Sequence, residues 1–419
     1  MIPPLFETKF AGPRSWLSTD GKRDLRIDLL RGYAMLAIIV DHVGGDQSWL
    51  YSITGGNEFL ASAAEGFIFM SGLVTGIVYA GAAARGLGDA LLKVLKRARR
   101  LYVFTVGLTL GLPLLAGLLN LDWDIPYNDV PLVDWLVSVL TLHRTYFLAD
   151  VIMVYALLFP GAALALLLIV QGQTRIVLAG SWALWLLWQI WPQYATVPWD
   201  IADNAVFNLA PWQVVFFTAL VIGVHRRAVL DKLRRVSPAL GVAISLPLLI
   251  LSVVFFHFRY QVIGALLPDH NADAVLEFVF GKSDLRAGRL LEFAIIAFFA
   301  FSAVTLLWKP LHRAVCWLLL PLGQNSLAAY TIHMVVVAVA AKITEMLFGL
   351  AGPTRLETTL TQVCAVALVW LGVRIMPAIT SLANLLDVAE LGMLGEAKDA
   401  VLARIPSVLI LPLRRPGSA

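Results

Sequence analysis

The sequence predicts an all-α, polytopic membrane protein of about ten transmembrane helices, and three observations predict it. Of 419 residues, 59% are hydrophobic and only 14% charged, against about 25% charged in a soluble domain. Mean hydropathy is +0.79. Apolar runs of about 20 residues, the length that crosses a bilayer as a helix, recur along the whole chain, whereas barrel strands would alternate polar and apolar residues. These figures argue against a soluble enzyme, a disordered chain and a coiled coil, and a net charge of +4 is too small to point to nucleic acid.

Spanning segments are expected at residues 27–44, 60–81, 101–120, 146–170, 176–192, 210–225, 237–257, 288–308, 325–347 and 358–380. The apolar stretch 132–143 is too short for a core of about 30 Å and reads as interfacial or re-entrant. Basic residues collect on the cytoplasmic side of a membrane, and the loops follow that rule. No Lys or Arg occurs from Val43 to Ala84, whereas Arg85, Lys93, Lys96, Arg97, Arg99 and Arg100 follow the second segment. Residues 121–131 carry Asp122, Asp124 and Asp129 without a basic residue, and 192–211 lacks Lys and Arg; both are assigned outside. His225, Arg226, Arg227, Lys232, Arg234 and Arg235 return to the cytoplasm, as do Lys309, His312, Arg313, Arg404, Arg414 and Arg415. Both termini are then cytoplasmic.

Residues 1–25 contain no apolar stretch of signal-peptide length and read as a cytoplasmic tail, so the first helix is expected to be an uncleaved anchor. Residues 26–380 form the membrane domain. Within the tail 381–419, residues 385–413 have the pattern of an amphipathic helix on the inner face. Cys316 and Cys364 lie in separate apolar runs with no partner spacing, so neither a disulfide nor a metal site is expected.

An ionisable residue inside an apolar helix costs a few kcal/mol or more, so each one is a candidate site residue. The first segment carries Asp28, Arg31, Asp41 and His42. Arg31 and His42 are eleven residues apart, which puts them within about 20° of one helical face and about 16 Å apart along the axis. Asp28 is spaced to pair with Arg31. The second segment enters through Glu65 at about the depth of His42, where a carboxylate can orient an imidazole, as in histidine-based acyl transfer. Asp150, Trp212, Gln213, Lys282, Asp284 and Arg289 fall at outer helix ends and suggest a polar cavity opening outward. His333 falls near mid-membrane and needs a polar partner, while Asn325 and Ser326 can cap the inner end of its helix.

Five ordered blocks carry a family resemblance: Arg26-Ile-Asp28-x-x-Arg31-Gly, Ala64-Glu65-x-Phe-x-Phe-x-Ser71-Gly72, Asp150-Val-Ile-Met-Val-Tyr155, Asn208-x-x-Pro-Trp212-Gln213 and Gly281-Lys282-x-Asp-Leu-x-x-x-Arg289-Leu-Leu. With the Arg31 to His42 spacing and the Gly-x-x-Ser, Tyr330, His333 segment, they resemble the acyltransferase-3 superfamily of integral membrane acyltransferases. Within it the nearer likeness is to the OpgC family. Met153 stands where a proline is usual, and the amino-terminal tail is longer than in compact members.

The resemblance implies an acyltransferase-3-like bundle in the bacterial inner membrane that transfers an acyl group, succinyl in the named members, from cytoplasmic succinyl-CoA to a periplasmic glucan. No bound cofactor is implied, only the acyl-CoA cosubstrate. On that reading Arg97, Arg99, Arg100, Arg226 and Arg227 attract the donor's phosphates. The pantetheine arm passes Arg31 and His333, and His42 takes the acceptor's proton with Glu65 or Asp41 orienting its ring. Lys282, Arg289, Gln213 or Trp212 hold the oxyanion or the donor's free carboxylate, while a covalent acyl-histidine route stays open. Two rivals share the intramembrane charges: a transporter of an anionic or acyl-bearing metabolite, and a non-catalytic envelope scaffold or sensor.

Overall fold

In a medium without water, an apolar run must satisfy its peptide groups internally, and a helix does so. The computed structural model describes residues 23–44, 47–121, 130–146, 148–204, 206–348 and 353–375, and these are almost entirely helical. Among them there is no strand, only an isolated bridge between Arg144 and Ala202. In chain order the helices are α1 (Leu25–Val43), α2 (Tyr51–Thr54), α3 (Ala63–Ala83), α4 (Leu87–Leu119), α5 (Leu132–Leu140), α6 (Asp150–Val170), α7 (Thr174–Ile190) and α8 (Leu209–Val224). There follow α9 (Arg226–Leu233), α10 (Pro238–Leu266), α11 (Ala272–Phe280), α12 (Ala287–Leu306), α13 (Trp308–Ala314), α14 (Cys316–Gln324), α15 (Ser326–Phe348) and α16 (Arg355–Ile375).

Each of the ten expected segments coincides with a helix, but not all ten are long and apolar enough to span. Seven pass: α3, α4, α6, α10, α12, α15 and α16, or eight when α8 and α9 are counted together. α7 and α8 are 17 and 16 residues long, while α1 is 19 residues long with charged residues along it. The stretch 132–143 holds only the nine-residue α5, about 13 Å at 1.5 Å per residue.

One expectation is corrected. Arg97, Arg99 and Arg100 do not lie in a loop; α4 starts at Leu87 and runs 33 residues, about 50 Å, so these arginines ride on a helical extension beyond the apolar part. The expected amphipathic helix at 385–413 and the acidic residues Asp122, Asp124 and Asp129 lie outside the described residues. Cys316 and Cys364 are both free thiols.

The chain divides into two compact units, residues 1–70 with 225–374, and residues 71–224 with 375–419. In the second, α3 and α8 approach backbone to backbone: a Cβ on Gly72 would strike the Phe216 carbonyl, one on Gly76 that of Leu220, and one on Gly223 that of Leu73. Small residues permit such contact where lipid supplies no hydrophobic drive for helix association. In the first unit α1 packs on α14, α15 and α12, and α10 packs on α12. The α1–α14 contact is again made by glycine. A Cβ on Gly32 would collide with the Leu319 carbonyl, and one on Gly323 with the Asp28 carbonyl and, at 2.8 Å, the Gly32 nitrogen.

The amino end of α1 is fixed electrostatically. Asp24 caps it, accepting from the Arg26 backbone N–H at 3.2 Å, and takes a bidentate fork from the Arg26 Nε and Nη2 at 2.9 and 2.8 Å. Arg226 of α9 adds a third charged donor at 2.9 Å. Arg26 is fully buried, donates to Thr305 of α12 at 2.9 Å and lies 4.8 Å from the Phe301 ring centroid. Burial alone would push the Asp24 carboxyl up, but the hydrogen bonds and charges of Arg26 and Arg226 outweigh it and hold the group below the ordinary carboxylate range.

Gly32→Val should therefore lower the melting temperature in detergent by many degrees, whereas Gly107→Ala, with nothing within 4 Å of the added Cβ, should leave it unchanged; equal behaviour of the two would contradict the glycine contact. Because the folded-state carboxyl of Asp24 titrates lower than the unfolded one, its stabilisation is complete above about pH 4 and is lost as pH falls through the folded value. Asp24→Asn keeps a capping acceptor and removes the charge, so its melting temperature should trail the wild type's at pH 7 and approach it in acid.

Candidate functional site

The first unit gathers six of the ionisable residues singled out in the sequence around the carboxyl end of α1. His42 and His333 meet directly, Nδ1 to Nε2 at 3.0 Å, with ring centroids 5.3 Å apart. His333 is fully buried and its Nδ1 bonds the Tyr330 carbonyl one turn earlier in α15. The Tyr330 ring packs against His333 at 4.6 Å and against Phe67 at 5.9 Å, which gives the pair an aromatic wall. His42 itself is half-buried, and its Nε2 makes no hydrogen bond among the described residues.

Glu65 does not orient His42. Its Oε1 accepts from Arg289 Nε, and its Oε2 accepts from the Ser62 backbone N–H at 2.9 Å and hydroxyl at 2.7 Å. Ser62 and Glu65 thus stand at the cap and third position of α3 and form one half of a capping box, in which the acid reaches back to an otherwise orphaned N–H. Both members of the Glu65–Arg289 pair are buried, at 0 and 4% exposure. Arg289 also donates from Nη1 to the Phe280 carbonyl at 3.3 Å, while its buried Nη2 has no partner among the described residues. Asp41 does not orient His42 either: it accepts from Thr54 Oγ1 at 2.9 Å and from the Asn57 backbone. Gly55 and Gly56, at φ of 84° and 57°, turn this loop inward. Lys282 donates to Asn57 Oδ1 at 2.6 Å, and its ammonium acts electrostatically on Asp41, His42 and Glu65 together.

Two other expected pairings differ. Asp28 pairs with Arg23, at 2.6 and 2.7 Å, rather than with Arg31, and Arg31 donates to the Met70 carbonyl at 3.0 Å. Asn325 turns its amide back to the Pro321 carbonyl at 3.1 Å, closing α14 from behind, and Ser326 begins α15. His333 lies beside His42 rather than deeper on a path leading to it.

Asp150, Trp212 and Gln213 belong to the second unit. Asp150 accepts from the Val151 N–H at 2.7 Å at the start of α6. Trp212 gives its single N–H to Val206 at 3.0 Å. Gln213 accepts from Ser181 at 2.6 Å and donates to the carbonyls of Ser181 and Ala210 at 2.8 and 3.0 Å. With their donors committed, Trp212 and Gln213 hold structure and have none left for an oxyanion. In that unit Arg99 and Arg100 are exposed and Arg97 is half-buried, near Tyr79 and Tyr155. Arg227, in the first unit, is exposed, whereas Arg226 is held by Asp24.

Sequence reasoning missed Gln362. It is fully buried on α16, donates to the Val40 and Gly44 carbonyls at 3.1 and 3.3 Å and accepts from Ser48 at 2.5 Å. It thereby satisfies carbonyls that the end of α1 leaves open and steadies the turn that carries His42. An amide in the middle of an apolar run was its signal. Ser62 was legible as well, three residues before Glu65.

Arg289→Ala should destabilise the protein by about 3–5 kcal/mol, because it leaves the Glu65 carboxylate buried and unpaired. The double change Glu65→Gln with Arg289→Met should recover most of that loss. Thermal unfolding of the two variants checks this, and a double variant no more stable than Arg289→Ala would contradict the pairing.

A family profile described as OpgC protein matches residues 23–380. No curated protein and no solved structure matches the chain. The matched stretch runs from the arginine that holds Asp28 through the last described helix and includes every residue of the histidine and ion-pair cluster, and over that length the chain belongs to the OpgC family.

Proposed function

We propose that this membrane protein is an O-acyltransferase of the acyltransferase-3 superfamily that moves a succinyl group from cytoplasmic succinyl-CoA through the bilayer to a hydroxyl of a periplasmic glucan. The observation that carries the reading is His42: a half-buried imidazole with one nitrogen bonded to His333 and the other making no hydrogen bond among the described residues, within the electrostatic reach of the Lys282 ammonium. A base needs a lone pair within reach of the hydroxyl it deprotonates. A thioester carbonyl under attack needs donors or positive charge where its oxygen becomes negative.

The atoms balance without a further reagent. The acceptor hydroxyl oxygen bonds to the thioester carbonyl carbon as its proton passes to His42 Nε2. The carbon–sulfur bond then breaks, and the proton leaves on the coenzyme A thiolate. Lys282 stabilises the oxyanion, while Arg289 Nη2, buried and without a partner among the described residues, is the donor that a dicarboxylic acyl group's free carboxylate would engage. The exposed Arg99 and Arg100 and the half-buried Arg97 of the second unit attract the donor phosphates; in the first unit Arg227 is exposed and Arg226 stays with Asp24.

The reading places ten spans in the bacterial inner membrane with both termini in the cytoplasm. The alternation of basic and acidic loops supports it, as do the seven helices, or eight with α8 and α9 together, that are long and apolar enough to cross.

In sealed vesicles supplied with labelled succinyl-CoA and periplasmic glucan, His42→Ala should cut label transfer by about a hundredfold or more. Undiminished transfer would remove His42 from the mechanism. Label crossing the membrane with no glucan present would favour a carrier.

A further inference from the structure

We infer that His333 is a positioning residue that fixes the tautomer of His42, through a one-way chain of hydrogen bonds ending on the Tyr330 carbonyl. The direction follows from which atoms are able to donate. A carbonyl oxygen only accepts, so the bond between His333 Nδ1 and Tyr330 requires a proton on Nδ1. In the neutral ring the other nitrogen is then a lone pair. Nε2 of His333 lies 3.0 Å from His42 Nδ1, so the proton on that bond belongs to His42. The proton of the His42 ring is thereby held on Nδ1, and Nε2, the nitrogen that makes no hydrogen bond among the described residues, carries the lone pair.

The role is ordinarily given to a carboxylate, which both orients an imidazole and balances its charge when it takes up a proton. Here no carboxylate bonds either ring among the described residues. Glu65 is occupied by Arg289 and Ser62, and Asp41 by Thr54 and Asn57. A neutral second imidazole anchored on a backbone carbonyl orients the first without contributing a charge. The anchor is rigid, because Tyr330 and His333 are one turn apart in the same helix and the tyrosine ring packs on the imidazole.

This deepens the acyltransferase reading and rests on His42 as proton acceptor, but its test separates the two. In the full-length protein labelled with ¹⁵N-histidine, the His42 ring, assigned by its loss in His42→Gln, should show the Nδ1–H tautomer. In His333→Ala it should move toward Nε2–H. Turnover should fall about a hundredfold in His333→Ala with KM little changed. His333→Gln, which places an acceptor oxygen near the lost Nε2, should recover most of the rate, whereas His333→Asn, too short to reach, should not. An Nε2–H tautomer in the wild-type protein overturns the assignment even if no His333 variant folds, as does equal loss in the Gln and Asn variants. Full transfer by His42→Ala with the Nδ1–H tautomer intact would instead overturn the catalytic reading and leave the proton assignment standing.

Discussion

Within one helix of nineteen residues lie Arg26 and Asp28, both buried, and Arg31, Asp41 and His42, each half-buried. Ionised groups there are tolerated only when other protein atoms replace their hydration, and much of the first unit supplies those atoms. Arg23 answers Asp28, Asp24 and Thr305 answer Arg26, and the Met70 carbonyl answers Arg31. Thr54 and His333 answer the last two. Helices α2, α3, α12 and α15 are thus drawn to α1 by polar demand as well as by packing. Removing Arg23 would leave the buried Asp28 carboxylate without its ion pair.

The same constraint separates two kinds of charge near the candidate site. Glu65 and Arg289 are paired and buried, so they brace α3 against α12 and hold the carbonyl of Phe280, with the arginine Nη2 left without a partner among the described residues. Lys282 lies on a half-buried turn against an exposed asparagine. On the proposed reading the ion pair gives the site its rigidity and the lysine gives it charge.

Much of this was legible before any coordinates. Helices were forced by runs of apolar residues, and each candidate on α1 was conspicuous because its neighbours are Leu, Ile and Ala. What the sequence could not convey was pairing. Glu65 at the depth of His42 suggested a carboxylate–imidazole contact, yet its partner is 224 residues away on α12, and depth says nothing about azimuth around a bundle. Asp28 and Arg31 had favourable spacing, but Arg23, just outside the helix, reaches Asp28 with both oxygens engaged. Gln213 was singled out for its polarity, and it proves to be saturated by Ser181 and Ala210. In an apolar medium a polar side chain is a sign of some partner, and only the fold says which.

The glycine contact between α1 and α14 acts at a distance on the histidines. Gly32 and Gly323 touch, His42 stands ten residues after the first, and His333 ten residues after the second. The two segments leave the contact with arms of equal count, the first helical throughout and about 15 Å long, the second crossing the junction of α14 and α15 at Asn325, and close again where the imidazoles meet. The contact is a gauge block: with no side chain between the backbones, neither arm is free to slide, and the 3.0 Å between the rings is set from the opposite end of the helix. A single residue inserted in the α1 arm would shift the His42 ring by about 1.5 Å and swing it by about 100°, so chain length between Gly32 and His42 is constrained as tightly as the histidine itself.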